Sequence, residues 1–379
     1  MKLTSKERLT RIFRGEEIDR PSLKLWGAQH YPQYLLHPAY GPVTQLAYET
    51  TDILGSMGYA FNVYAGQNMK SYQEDYVVDT DDPNKYIHHT TFHTPKGDLH
   101  MARAGFRDGY PGYTLEYMIK EPEDLERLLS MEYTPFPLSH ENRRQYEDAV
   151  AMMRERGVVS VHLDEAIYAI QRLCGSETLA YFSVDERELL THTLHVYRDR
   201  ILDHVKSVLA LGIQPCFSMV GPEIALPPLM SPADFCEFVH DADKPIGDLI
   251  HNGGGHFWVH CHGKVANFID QFIDMGVDVL NPLEPPKNGD IDLNAIIAKY
   301  GNRIGWEGNI EIQEILSSPK ERIRALIDEC VEAGAKSGRF ILCPSAGYME
   351  YPAPTETYIE NLMFYLQYGL EAVERYRKA

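Results

Sequence analysis

The run from Phe257 to Lys264, "FWVHCHGK", sets two histidines on either side of a cysteine and closes on glycine. Imidazole binds transition metals when neutral and exchanges protons near neutral pH, so either chemistry is open to such a pair. If the run is a strand, alternation turns His260 and His262 to one face and Cys261 to the other. The two imidazoles could then hold one zinc ion, with Cys343 or Glu223 from another strand as the third ligand. Alternatively, they line a metal-free polar pocket in which they orient an anionic substrate or donate hydrogen bonds. The H-x-H spacing alone leaves both open.

What positions these residues is a series of short apolar runs, each followed by a helical pattern. The runs are "SLKLWG", "GYAFNVY", "VVSVHLD", "IQPCFSMV", "HFWVHCHG", "VDVLNPL", "RIGWEGN" and "RFILCPSAG". Eight strands alternating with helices predict an α/β fold of the (β/α)8 TIM-barrel type, whose chemistry gathers at the C-terminal strand ends. There the sequence delivers His162, Asp164 and Glu165; Ser218 and Glu223; His260 and His262; Asn281 and Glu284; Glu307 and Asn309; and Cys343, Ser345 and Tyr348. His162, Glu223, His260, His262, Glu307 and Tyr348 are the expected catalytic set.

A helix precedes the barrel. Thr4 and Glu7 make a capping-box pattern, Leu9, Ile12 and Phe13 share a face, and Gly15 ends the helix, which should lie across the body like a lid. Between about residues 65 and 147 the alternation is interrupted: "YIHHTTFHTPKGDLHMARA" alternates around Pro95-Lys96-Gly97-Asp98, as an inserted β-hairpin would. His88, His89 and His93 are expected to be solvated on it, and Cys174, Cys236 and Cys330 to serve packing. With no repeat and no low-complexity linker, residues 1–379 form a single domain in this account.

The net charge of -19 opposes binding to nucleic acid or to an anionic membrane. No stretch of about 18 apolar residues offers a membrane span, and the N-terminus lacks the apolar core of a signal peptide. Six cysteines without framework spacing suit a reducing compartment, so a cytoplasmic location is expected.

The segments "SKERLTRIFRGEEIDRPS", "GPEIALPPLMSPADFCEFV", "HCHGKV", "GVDVLNPLEPP" and "FILCPSAGY" together resemble the uroporphyrinogen decarboxylase superfamily over most of the chain. The resemblance implies either a decarboxylase of a tetrapyrrole or other carboxylic acid, or a corrinoid-dependent methyltransferase. Decarboxylases of the family carry "RQAGRY" after the first strand to hold propionates. In "WGAQHYPQY" Gly27 and His30 stand where those arginines are expected, and a polycarboxylate would lose its cationic clamps.

The methyltransferase branch holds zinc with H-x-C-G and a cysteine near the last strand. Here His260 and Gly263 are in register, His262 replaces the cysteine, Ala346 stands at the second cysteine position, and Cys343 lies three residues earlier. Similarity to methyltransferases that open phenyl methyl ethers adds an alternative metal set, E-x14-E-x20-H, matched by Glu126, Glu141 and His162. What the resemblance implies is therefore transfer of a methyl group from a methoxylated aromatic to the cobalamin of a separate corrinoid protein, with zinc or without it. Methyl transfer from a methylamine or methyl thiol stays open as a relative of that reaction. The chain has no D-x-H-x-x-G corrinoid signature of its own, and a homodimer is implied by the resemblance alone.

Overall fold

The computed structural model describes residues 2–26, 38–347 and 354–378. Its strands in chain order are β1 (Ser22–Leu23), β2 (Ile53–Met57), β3 (Gln73–Asp79), β4 (Lys85–Thr94), β5 (Gly97–Phe106), β6 (Tyr113–Glu116), β7 (Gly157–Leu163), β8 (Cys216–Val220), β9 (His256–His260), β10 (Val279–Asn281), β11 (Gly305–Ile310) and β12 (Phe340–Pro344). Eight of them form one parallel sheet in the order β1-β12-β11-β10-β9-β8-β7-β2. The sheet curls until its end strands approach: the Asp52 N–H donates to the Leu23 carbonyl at 2.8 Å, and Ser22 Oγ donates to Asp52 Oδ2 at 2.7 Å. With helices between the strands, this is an α/β fold of TIM-like form.

Parallel strands covered on both faces read as near-continuous apolar runs, and β12 is buried at every position. Seven of the eight expected strands overlap observed ones. The exception is "GYAFNVY": the strand is the preceding segment Ile53–Met57, paired in register with β7 from Ile53↔Gly157 to Met57↔Val161. The aromatic run misled because its apolarity serves loop packing: Phe61 stacks on His204 at 4.5 Å and the Tyr64 hydroxyl donates to the Ala169 carbonyl.

The N-terminal helix Ser5–Arg14 has the expected reciprocal box between Thr4 and Glu7, and Gly15 closes it in the left-handed region at φ 69°. Leu9, Ile12 and Phe13 pack with Cys216, Trp258, Val279 and Ile341, and Phe13 stacks on His256 at 5.6 Å. Cys216, His256 and Val279 each open a strand, so this helix stoppers the N-terminal end of the sheet. Two buried arginines fasten it. Arg339 donates to the carbonyls of Ile12, Phe13, Asp278 and Asn302, and Arg8 pairs with Asp19 and Asp52, both at 2.8 Å.

The insertion is larger than a hairpin. β4 and β5 are the central hairpin of a four-stranded antiparallel sheet, β3-β4-β5-β6. Its histidines are not simply solvated: His89 meets His100 at 3.1 Å, and His93 lies 3.0 Å from both Glu74 and Asp98. Cys174 and Cys330 are buried, as expected of packing thiols.

Candidate active site

The last residues of β9 and the turn after it build the centre of the site. The His260 and His262 rings lie on one side, 4.5 Å apart and at 89° to each other, while Cys261 is buried away from them. Gly263 follows at φ 91°, a conformation that suits glycine, and its N–H donates to Glu284 Oε2 at 2.7 Å. The other oxygen of Glu284 meets His262 Nδ1 at 2.9 Å.

Each histidine is held differently. Glu307, at the centre of β11 and 1% exposed, accepts from Lys24 Nζ at 2.6 Å, Asn281 Nδ2 at 2.9 Å and Trp258 Nε1 at 3.0 Å. Because Asn281 gives its amide N–H to that carboxylate, its carbonyl oxygen is turned to His260 Nδ1, 2.6 Å away. The proton of a neutral His260 therefore sits on Nδ1 and the lone pair of Nε2 is left free. Burial, with His262 nearby, pushes the His260 pKa down to about 4, which keeps this imidazole neutral. Burial acts against protonation of His262 as well, but the bond to Glu284 and the charges of Glu284, Glu223 and Glu311 outweigh it and raise its pKa. Two adjacent imidazoles are thus pushed in opposite directions, the pattern of a base beside an acid.

Carboxyl groups surround them. Glu223, in the turn Pro222–Ala225 after β8, has a buried Oε2 without a hydrogen-bond partner, and its pKa is raised chiefly by burial. Glu311, after β11, is raised by burial and by Glu284. Glu284 is lowered: burial opposes ionisation, but His262 and the Gly263 N–H stabilise its anion.

Below the histidines lies a cavity of about 160 Å³ lined by Lys24, Leu54, Ser56, Ser160, His162 and Ser218, with Trp26 and Trp258 as aromatic walls. Trp258 stacks on His260 at 6.0 Å and Trp26 meets His260 edge-on at 5.1 Å. The His162 ring is exposed to the cavity, and desolvation by the surrounding wall holds its pKa below the ordinary value, against the pull of Asp164.

Of the expected catalytic residues, His260, His262 and Glu223 come together at the mouth, Glu307 anchors them from beneath, and His162 lines the adjoining cavity. Tyr348 lies outside the described residues, as do Gly27 and His30. Lys24, Trp26 and Trp258 were not anticipated. The signal was the same alternation, since in "SLKLWG" Lys24 and Trp26 share the face of Ser22, and in "HFWVHCHG" Trp258 shares that of His260.

Both Nδ1 bonds have the form of the outer-shell contacts that orient metal-binding histidines. A catalytic zinc needs about three protein donors, however. Among the described residues no three His, Cys, Asp or Glu side chains converge to hold a metal ion. Cys343 is fully buried beside Glu307, and among the described residues it does not converge with His260 and His262 on a common point. The alternative trio is dispersed. Glu126 pairs with Lys96 on the surface, Glu141 sits in the exposed first turn of helix His140–Met153 beside Arg144, and His162 faces the cavity. The described residues therefore bring together two of the donors a catalytic zinc requires.

In comparison with known proteins, the uroporphyrinogen decarboxylase (URO-D) family model matches residues 166–369. Among solved structures the chain is similar to a methyltransferase from Methanosarcina mazei, with 14% identity over 100% of both chains and a TM-score of 0.61, a likeness of fold. Weaker likenesses are to a sugar phosphate isomerase/epimerase from Parabacteroides distasonis (13% identity, 68% of this chain and 91% of that one, TM-score 0.29) and to the GH26 domain of an endo-β-mannanase/endo-β-glucanase from Prevotella bryantii (8%, 95% and 96%, TM-score 0.34). No curated protein matches.

Proposed function

From the premise that this chain belongs to the uroporphyrinogen decarboxylase (URO-D) family, whose model spans more than half of it, we propose that it is a methyltransferase and not a decarboxylase. Its methyl donor in this account is a small methoxylated aromatic, and its acceptor the reduced corrinoid of a separate protein. The observation that carries the proposal is the charge at the mouth. Glu223, Glu284 and Glu311 surround His262, while among the described residues Lys24, which lines the cavity, is already ion-paired with Glu307 at 2.6 Å, and Arg172, which acts on His162, pairs with Asp164 at 3.7 Å. A polycarboxylate would meet repulsion where it needs guanidinium clamps. The cavity of about 160 Å³ is also smaller than the roughly 300–1,000 Å³ typical of drug-sized ligands, which favours a one-ring substrate.

The aromatic walls of Trp26 and Trp258 suit the flat face of such a ring. His260 Nε2, a lone-pair acceptor, takes the hydrogen bond of a phenolic hydroxyl beside the methoxy group. The corrinoid, when bound, supplies the nucleophile for the methyl carbon. As the O–CH3 bond breaks, its electron pair stays on oxygen, and the aryl oxide takes the proton of His262, held as imidazolium by Glu284. A placed acid of this kind contributes on the order of 10²–10⁴ in rate. Product release followed by proton uptake from solvent restores His262.

The test is anaerobic spectroscopy of reduced cobalamin with the purified protein and a panel of methoxyphenols, with a corrinoid protein supplied in a second series. Formation of methylcobalamin that needs both the protein and one member of the panel supports the proposal. Turnover of a tetrapyrrole carboxylate without methyl transfer would replace it with decarboxylation.

A further inference from the structure

The apolar interior at the N-terminal end of the sheet is divided. Leu9, Ile12 and Phe13 of the stoppering helix gather one cluster with Cys216, Trp258 and Val279, and Val158 leans against it. A second cluster, Ile53, Ala149, Met153 and Val159, lies under helix His140–Met153, with Tyr146 and Val150 packed on it. Both helices pack on β7, yet the two clusters do not merge. The seam between them is a cavity of about 270 Å³, separate from the one beneath His260. Phe13, Val158 and Cys216 line it from the first cluster, and Tyr146, Val150 and Met153 from the second. Protein interiors are close-packed, so apolar side chains left facing a gap forgo contacts that an apolar guest would restore.

The rim of this seam is cationic. Lys6, Thr10 and Arg14 recur every four residues along the stoppering helix and line the same cavity. Lys6 and Arg14 are about 12 Å apart along the axis, so the cavity has a cation toward each end of that helix. In a chain with 55 acidic residues and a net charge of -19, neither is ion-paired among the described residues. Asp278, which lies 3.5 Å from the lining residue His256, is already held by His251 at 3.1 Å and by the Phe257 N–H at 2.8 Å. Rings complete the lining. Phe13 stacks on His256 at 5.6 Å, and burial raises the Tyr146 phenol to about 12, so it stays a neutral donor.

We propose that this seam is a binding site for a small aromatic carboxylate, whose ring joins the two apolar clusters and whose anion is held by Lys6 or Arg14 at the rim. Apolar walls with convergent polar groups at one edge are the usual make-up of a small-molecule site. The seam lies under the first residues of β7, β8 and β9, and His260 closes β9 at the other end, about 13 Å along the strand from His256. No residue of the histidine mouth takes part, so the inference stands apart from the methyl-transfer proposal. A guest that needs both clusters in place binds the folded chain alone and therefore stabilises it.

The experiment titrates the full chain with 2-naphthoate, and with 2-naphthamide as its neutral counterpart, by calorimetry and by spectra of protein carrying ¹³C-methyl methionine. We expect 2-naphthoate to bind wild type and to move the Met153 methyl resonance. The double variant Lys6→Gln with Arg14→Gln should weaken 2-naphthoate by about tenfold, as two partly exposed charge contacts would, and leave 2-naphthamide unchanged. Val150→Phe fills the seam and should abolish binding of both probes. Absence of binding to wild type at millimolar probe, or equal affinity for 2-naphthoate with and without the two cations, would overturn the proposal. Binding that survives Val150→Phe would overturn it as well, by placing the ring elsewhere. Should Val150→Phe fail to fold, the Met153 methyl of wild type decides: a shift that saturates with the calorimetric affinity upholds the seam, and heat of binding with a silent Met153 methyl sinks it.

Discussion

His260 and His262 stand 4.5 Å apart with their rings at 89°, yet the first hands its Nδ1 proton to an amide oxygen and the second to a carboxylate. That difference in partner separates their protonation. Asn281 is neutral and fixes a tautomer, whereas Glu284 is anionic and favours an imidazolium.

The acid role proposed for His262 has a signature in pH. Activity should fall as pH rises through its raised pKa, and Glu284→Gln, by removing the anion, should lower that pKa and move the alkaline limb to lower pH. His262→Gln should cost about 10²–10⁴ in kcat with a leaving group that needs a proton, and much less with an activated methyl donor. An unshifted limb in Glu284→Gln would remove His262 from the acid role. The same pair stabilises the fold: the His262 contribution is present below about pH 6.5 as long as Glu284 stays ionised, and it is lost as pH rises through the raised folded value.

Glu307 is expected to matter for folding before chemistry. Glu307→Ala strands Lys24 Nζ in the interior and removes the acceptor of Asn281 and Trp258. A loss of about 3–5 kcal/mol is expected, the usual cost of breaking a buried pair from one side, and denaturant unfolding would measure it. The double variant Glu307→Ala with Lys24→Met should recover part of that loss.

Trp26 offers a test of substrate class. Replacing it with leucine removes an aromatic wall of the cavity, and we expect methoxyphenol binding to weaken by about 0.5–1.5 kcal/mol, read by calorimetry. Equal affinity in both proteins would argue against a stacked ring.

Acid should loosen the stoppering helix. Asp19 is held down to about 2 because its bonds to Arg8 outweigh burial. Its stabilising contribution, about 2 kcal/mol, is complete above the ordinary aspartate value near 4 and disappears as pH falls through about 2. Asp19→Asn should flatten that part of the acid-unfolding curve.

The parts of this molecule that were readable from sequence are those governed by local rules. Alternation placed His260 and His262 together, and the Thr4–Glu7 box with Gly15 bounded the first helix. β2 was missed because a strand of only five residues, Ile53–Met57, carries Gly55 and Ser56, small side chains that a narrow sheet interior tolerates, whereas the apolar run next to it packs as a loop. The spacing of Glu126, Glu141 and His162 failed for another reason: sequence separation does not say which way a helix turns a side chain, and both glutamates face solvent.

The stopper formed by Leu9, Ile12 and Phe13 has a kinetic meaning. A cavity blocked at its lower end is a cul-de-sac, so donor, product and any incoming acceptor must use the same doorway. Under the proposed methyl transfer, traffic through one doorway would impose a queue: the small donor would have to enter before a bulky acceptor-bearing protein covered the opening, and the demethylated product could not leave until that protein stepped away. Excess partner would then slow turnover by trapping product and barring donor, even while each single encounter remained productive.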